Sequence, residues 1–538
     1  MTLHLNFINQ TKSLIDNLKA VCANYGLGND GNEFKIITQV FLYKFMNDKF
    51  RYEAKKHEPK LVKAENFQQA LENMPADEYQ FLMARIGPDV PKLFPKEMIS
   101  FLYNNQNQDD YAVLFDGTLR SISINNTEIF SVKSASGAKD KLFDELSQFI
   151  SDQSQRDAFC KALINKLFDF SFEDMFGEKY DFFATIFEYL IKDYNTDSGG
   201  KYAEYYTPHA VARIMAAIMV PEPVSGVTCY DPSAGSGTLL MNIAHAIGEA
   251  NCSIYSEDIS QKSSNMLRLN LVLNNLAHSI PHIIKTNTIA EPYYLNRKFD
   301  YIVSNPPFKL DFTDFRTTLE KDAFKERFFA GIPNVPKAKK ESMAIYLMFI
   351  QHIMYSLSEK GKAAVVVPTG FITAQSGIEK KIREQLIERG WLRGVVSMPS
   401  NIFASTGTNV SVLFMDKQAD NKHIVLVDAS KLGETIKDGK NQRTVLTPDE
   451  ERHIIAAMNE MKAEEDFSVV ITADEIRAKN YSFSAGQYFE VRIEYVDISA
   501  EEFEGKMNAY KTNLQHYFKE AAQLEKEIMK QLEGLHYE

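Results

Sequence analysis

From residue 227 onward, short β-rich runs alternate with amphipathic helical patterns, and that alternation restricts the chain more than any other feature. The runs are residues 227–230, 253–256, 299–303, 362–367, 394–397 and 410–414, and apolar residues at helical spacing fill 262–275 and 344–358 between them. Strands this apolar need cover on both faces, so the expected fold is α/β, a doubly wound, mainly parallel, Rossmann-like sheet. Ligands in such a sheet sit beyond the carboxyl ends of its strands. Two loops fall at such ends: Asp231-Pro-Ser-Ala-Gly-Ser-Gly-Thr238 and Ser304-Asn-Pro-Pro-Phe308.

Residues 1–175 read as an all-helical domain, as in the periodic stretch 34–46, with one short hairpin expected near residues 111–132. A helical segment at 180–194 leads into a glycine turn at 197–200. The α/β domain is expected to span 176–475 and a helical tail 476–538. In the tail, Phe503, Met507, Tyr510, Leu514, Tyr517, Ala521, Leu524, Ile528, Leu532 and Leu535 recur at spacings of three and four, close to a heptad. That stripe serves equally well for packing on its own domain or for docking a partner.

The 538 residues leave room for about two to four domains, each with its own core. No apolar run approaches the roughly 20 residues that span a bilayer, and the first residues lack a secretory pattern. A cytoplasmic protein without membrane contact is expected. Cys22, Cys160, Cys229 and Cys252 are widely spaced with no CxxC, which argues for reduced, buried thiols and against a disulfide framework or a metal site. A net charge of −12 opposes tight stand-alone DNA binding, which needs cations to replace counterions around phosphates. If DNA is the substrate, a partner supplies much of the grip. The basic run at 336–340 reads as a solvated loop.

In the first loop, Gly235 and Gly237 permit positive φ and close approach of a ligand to the backbone, and the helix that follows offers free N–H groups. Ser233, Ser236 and Thr238 add hydroxyls beside Asp231. Glu257 and Asp258 lie about 20 residues beyond Gly235 at the end of the next strand, where an acid accepts hydrogen bonds from both ribose hydroxyls. Asp258 is taken as that acid, with Ile259 packing on an adenine face. A dehydrogenase is the obvious competitor. Its fingerprint needs a third glycine, however, and position 240 is Leu. Without a pyrophosphate to cradle, S-adenosylmethionine fits this half of the site better than NAD.

The second loop, Asn305-Pro306-Pro307-Phe308, suits an amine on a planar ring. The Asn305 amide oxygen and the Pro306 carbonyl can accept the two hydrogens of adenine N6, drawing the nitrogen toward tetrahedral geometry. Pro306 and Pro307 hold the acceptors rigid, so they need little reorganisation. Phe308 is expected to stack on the base, worth roughly 1–3 kcal/mol. Upstream, Tyr206-Thr207-Pro208 precedes a helical pattern at 210–219. Thr207 can cap that helix with Pro208 at its first position; in a functional role it touches the amino-acid end of the cofactor.

Taken in order, Tyr-Thr-Pro, the glycine loop and Asn-Pro-Pro-Phe resemble the gamma class of amino-methyltransferases. More closely, the chain resembles the modification subunit of type I restriction–modification systems. That resemblance extends through residues 31–50, 180–208, Val366-Val-Pro-Thr-Gly-Phe371 and residues 401–414. It implies an N6-adenine DNA methyltransferase that uses S-adenosylmethionine and flips its target base. Two such subunits are expected on one specificity subunit, which takes the C-terminal helix, and restriction subunits can join. Many relatives have Cys where this chain has Ser233. Where they carry an Asp that holds the cofactor adenine amine, this chain has Asn287, whose amide oxygen can accept the same bond. A protein glutamine methyltransferase and an inactive scaffold of the same fold are the remaining alternatives.

Overall fold

The computed structural model describes residues 2–28, 31–87, 90–134, 136–139, 141–176, 207–321, 324–337, 339–403, 409–438, 441–489 and 498–533. The expected segments at 180–194 and 197–200 lie outside them. Residues Met1–Tyr488 form one compact unit and Phe489–Glu538 a second.

A ten-stranded sheet, counted among the described residues, organises the first unit. Its strands are β1 (Lys133–Ser134), β2 (Val227–Asp231), β3 (Cys252–Asp258), β4 (Ile283–Lys285), β5 (Phe299–Ser304), β6 (Leu357–Pro368), β7 (Leu392–Ser397), β8 (Val410–Asp416), β9 (Ile424–Asp428) and β12 (Ser468–Ile471). The spatial order is β1-β4-β3-β2-β5-β6-β8-β7-β9-β12. Every pairing from β1 to β6 is parallel, whereas β8 runs antiparallel to both β6 and β7, and β12 antiparallel to β9. A separate hairpin joins β10 (Glu434–Asp438) to β11 (Asn441–Val445). Each of the six β-rich runs lies within a strand, in the mainly parallel α/β arrangement expected. Ala363 to Val367 are all buried, as are Val410 to Met415, because helices cover both faces. The order reverses at β2, whose neighbours β3 and β5 lead away on opposite sides.

The helices His209–Met219 and Thr238–Ile247 pack together beside β2. Arg213 reaches Glu451 on the helix Pro448–Asn459 through two hydrogen bonds of 2.9 and 2.6 Å. A pattern expected over 344–358 is helical as Tyr346–Ser356, because Leu357 and Ser358 already begin β6. The helix expected at 262–275 runs Gln261–Leu273.

Upstream, the helices Thr2–Asn24, Gly31–His57 and Arg156–Phe168 surround an aromatic core in which Phe41, Phe45 and Phe176 meet Phe172. The hairpin expected near 111–132 is instead the helix Tyr111–Phe130. Tyr111, Phe115, Leu119, Ile122 and Asn126 are all buried at spacings of three and four, so helical periodicity overrides the β propensity of the Ile and Thr residues between them. β1 follows this helix and pairs with β4, tying the helical region to the edge of the sheet. All four cysteines are free and buried. No helix among the described residues is long and apolar enough to cross a membrane.

In the second unit, the helix Ala500–Glu533 carries Phe503, Met507, Tyr510, Leu514, Tyr517, Leu524, Ile528 and Leu532 exposed along its length. Leu535 lies beyond the described residues.

Lys44 and Asp48 form an ion pair of 2.9 Å with side chains 4% and 1% exposed, and Asp48 also accepts from Phe172 N at 2.8 Å. Asp48→Ala strands a buried ammonium, so it is expected to lower stability by about 3–5 kcal/mol, whereas the apolar pair Lys44→Met with Asp48→Leu should cost far less. Denaturant unfolding of the two variants checks this.

Candidate active site

Both signature loops border one cavity of about 340 Å³ at the carboxyl ends of β2, β3 and β5, where the strand order reverses. Asp231, Ser233, Gly235, Ser236 and Thr238 line it from the first loop, and Asn305 and Pro307 from the second. Thr207, Asp258, Ile259 and Asn287 complete the expected residues found there. Pro208, Gly237, Pro306 and Phe308 are not on the cavity wall, and Tyr206 lies outside the described residues.

The two glycines do different work. Gly235, at φ +53°, lines the cavity and gives its N–H to Asp258 Oδ2 at 3.0 Å. Gly237, at φ +85°, faces inward instead: a Cβ there would collide with Leu267 Cδ1 on the helix Gln261–Leu273. Its place is thus a close approach of the loop backbone to the Leu267 side chain rather than to a ligand. Asn270 on the same helix donates to the Ser236 carbonyl and fixes the loop from below.

Three acids gather at these strand ends. Asp258 accepts from Gly235 N and, at 2.7 Å, from Ser260 N, so both oxygens are oriented toward the loop backbone. Burial raises its pKa against those two hydrogen bonds. Glu257 points the other way, away from the cavity: it accepts from Tyr230 Oη and from Tyr293 N and Tyr294 N. This follows from strand alternation, which sends neighbouring side chains to opposite faces. Asp231 is 1% exposed and accepts from Ser233 N at 2.9 Å. Burial pushes its pKa up to about 8, with the nearby Asp258 charge adding to the rise.

Asn305 donates through Nδ2 to Thr207 Oγ1 at 3.2 Å. Thr207 therefore does not cap the helix as expected: Pro208 is the residue before its first turn, with no side-chain cap, and the hydroxyl turns to the second loop. Ser304 and Ser233 join the two loops through their hydroxyls at 2.8 Å. Pro306 is buried and Pro307 exposed. Phe308 is half-buried, edge-on to Tyr346 at 6.2 Å between ring centroids.

Asn287 is on the cavity wall, but its oxygen is engaged. It accepts from Ile289 N at 3.2 Å and Ala290 N at 3.1 Å, closing a turn of its own. The amide oxygen offered to a ligand in the sequence reading is therefore spent on backbone. Thr288 on the same turn gives its hydroxyl to the Pro232 carbonyl at 2.8 Å, and the buried Arg327 guanidinium holds the carbonyls of Thr288 and Ile289. Sequence reasoning missed Arg327, Thr286, Thr288, Leu310 and Phe315. Arg327 sits in no recognisable motif, and only its burial marks it.

The model of the N-6 DNA Methylase family matches residues 178–495. The Type I restriction enzyme MpnII methylase subunit of Mycoplasma pneumoniae is 29% identical over 353 residues, 63% of this chain and 63% of that protein. The chain thus spans just under two thirds of that relative's length. The MjaIX methylase subunit of Methanocaldococcus jannaschii is 26% identical over 69% of this chain and 66% of its own. Among solved structures, the type I restriction-modification methyltransferase subunit from Streptococcus thermophilus superposes with a TM-score of 0.70. It is 21% identical, covering 90% of this chain and all of that one, and so shares the fold.

Between the ordinary carboxyl range and about 8, the folded chain holds a proton on Asp231 that the unfolded chain releases, so stability falls as pH rises through that window. Asp231→Asn removes this dependence. Its unfolding temperature relative to the parent is expected to rise from about pH 6 to about pH 9; thermal scans across that range check the sign.

Proposed function

The chain belongs to the N-6 DNA methylase family, and on that premise we propose that it methylates N6 of adenine in DNA as the modification subunit of a type I restriction–modification complex. The observation that carries this reading is the single cavity that brings the glycine loop and Asn305 together.

The residues present suit S-adenosylmethionine. Gly235 leaves backbone open to the cavity, Ile259 is 67% exposed on its wall as a platform for an adenine ring, and the Asp258 oxygens keep lone pairs for ribose hydroxyls. When bound, the cofactor supplies an electrophilic methyl group on a positively charged sulfur. Asp231 is buried on the cavity wall, where it could lose its proton to balance a bound cation.

At the substrate end, the bond from Asn305 Nδ2 to Thr207 turns the amide so that Oδ1 is left to accept a hydrogen of the target amine. The second hydrogen is assigned to the Pro306 carbonyl, although Pro306 itself is buried and does not line the cavity. Acceptors held this way strengthen their bonds as the nitrogen becomes cationic in the transition state, and the proton departs after transfer. The base reaches the cavity by leaving the duplex, at a cost of a few kcal/mol, which stacking near Phe308 and protein contacts offset.

With a net charge of −12, the chain is expected to hold DNA together with partners. Two copies on one specificity subunit, docked through the apolar stripe of Ala500–Glu533, supply that grip. Restriction subunits complete the assembly in systems that cleave.

Co-expression with the neighbouring specificity subunit in a methylation-free host, followed by sequencing for modified bases, tests the proposal. N6-methyladenine at a two-part motif is expected; protein labelling without DNA labelling would overturn it. Asn305→Ala should lower turnover by about 10²–10³ with cofactor affinity nearly unchanged. Thr207→Val, which frees the amide to rotate, should cost about tenfold in turnover. Asp258→Ala, by contrast, should weaken cofactor binding first, by about tenfold. Turnover assays combined with calorimetric titration of the cofactor separate the three.

A further inference from the structure

A second cavity, of about 200 Å³, lies at the other end of the sheet, where β5 and β6 begin and β8 ends. Lys298, Arg389 and Lys417 border it together with Trp391, the single tryptophan of the chain. Lys417 Nζ is 4.7 Å and Arg389 Cζ 5.0 Å from the indole centroid. Arg389 also lies 5.2 Å from the Phe329 ring, and Lys298 Nζ sits 3.6 Å from the Tyr355 ring while donating to the Tyr355 carbonyl.

The three cations converge without a carboxylate partner in contact among the described residues; Lys298 and Arg389 are exposed and Lys417 is half-buried, and Arg389 Nε also donates to Gln385 Oε1 at 3.1 Å. Glu326 is the one carboxylate on the wall, and it and Glu359 act on the lysines through space, beyond ion-pair distance among the described residues. Burial lowers the pKa of Lys298, and the Lys417 charge lowers it further; burial and then Arg389 lower Lys417. Aromatic faces return only about 0.5–1 kcal/mol per exposed cation and neutralise no charge.

The positions are fixed by backbone. Arg389 follows the helix Gly377–Glu388, Gly390 turns the chain at φ +67°, and Trp391 N binds the Leu386 carbonyl at 2.8 Å. Trp391 O then accepts from Asp416 N at 2.9 Å, and Lys417 N binds the Gly361 carbonyl at 3.1 Å. Gly361 has no room for a Cβ against Ser358 N and Phe299 O, so the strand starts stay in close contact.

We propose that this cavity binds a phosphate group. A guanidinium fork and two ammonium point charges are the donor set that a compact multivalent oxyanion needs. Because the indole already carries cations, the cavity offers charge rather than a surface for base stacking. The phosphate comes either from a small phosphorylated ligand or from a nucleic-acid backbone running past the end of the sheet opposite the active site. The inference does not depend on the methylation reading.

Trp391 makes the test direct, since tryptophan emission from the full-length chain reports on this cavity alone. Titration with inorganic phosphate is expected to change that emission saturably, against a chloride control at matched ionic strength. The double variant Arg389→Gln with Lys417→Gln should weaken the response by about tenfold or more, and Lys417→Arg should keep it. Unfolding temperatures confirm that the variants fold. Displacement of phosphate by duplex DNA assigns the backbone source, and displacement by pyrophosphate but not DNA assigns a small ligand. A phosphate response equal to that of chloride overturns the proposal on the parent protein alone, and so does a response unchanged in the double variant.

Discussion

The parallel pairing of β2 with β3 on one side and β5 on the other is the constraint on which the site depends. Chain leaving β2 must turn one way and chain leaving β5 the other, so a crevice opens between them that no side chain of the sheet fills. Asp231 ends one strand, Asp258 the next, and Asn305 follows the third. Separations of tens of residues along the chain thereby become the walls of one cavity. Hydrogen bonds from Gly235 to Asp258 and between the Ser304 and Ser233 hydroxyls then lock the loops across the crevice.

The site is also electrostatically tense. Asp231 and Asp258 are both held above their usual pKa by burial, and Glu257 behind them shares a buried cluster with Tyr230, which also meets His352 Nε2 at 3.1 Å. Such a cluster is tolerated only where hydrogen bonds satisfy it. Here the backbone of residues 233, 235, 260, 293 and 294 does most of that work. A cationic group placed beside Asp231 and Asp258 would relieve the tension, because it would favour their ionised forms.

Much of this was legible in the sequence because it is local. The strand runs, the helix after Gly237 and the loop prolines each follow from periodicity or from a residue with restricted dihedrals. The exception is residues 111–132, where a hairpin was expected but the spacing of Phe115, Leu119 and Ile122 belongs to a helix. Short strands such as β4 and β12, with three and four residues, carry too little pattern to be seen without their partners.

By itself, the sequence determined the α/β class, the two loops and the identity of the residues on them, since these depend on spacings within one strand and its turn. Tertiary structure alone decided which way each polar group faces. It put Glu257 behind the sheet and Asp258 in front, gave the Thr207 hydroxyl to Asn305 rather than to its own helix, spent the Asn287 oxygen on backbone, and set Gly237 against Leu267. A hydrogen bond or a close contact is settled by what lies opposite, and for these residues the partner comes from another element of the fold or from the turn of the backbone itself.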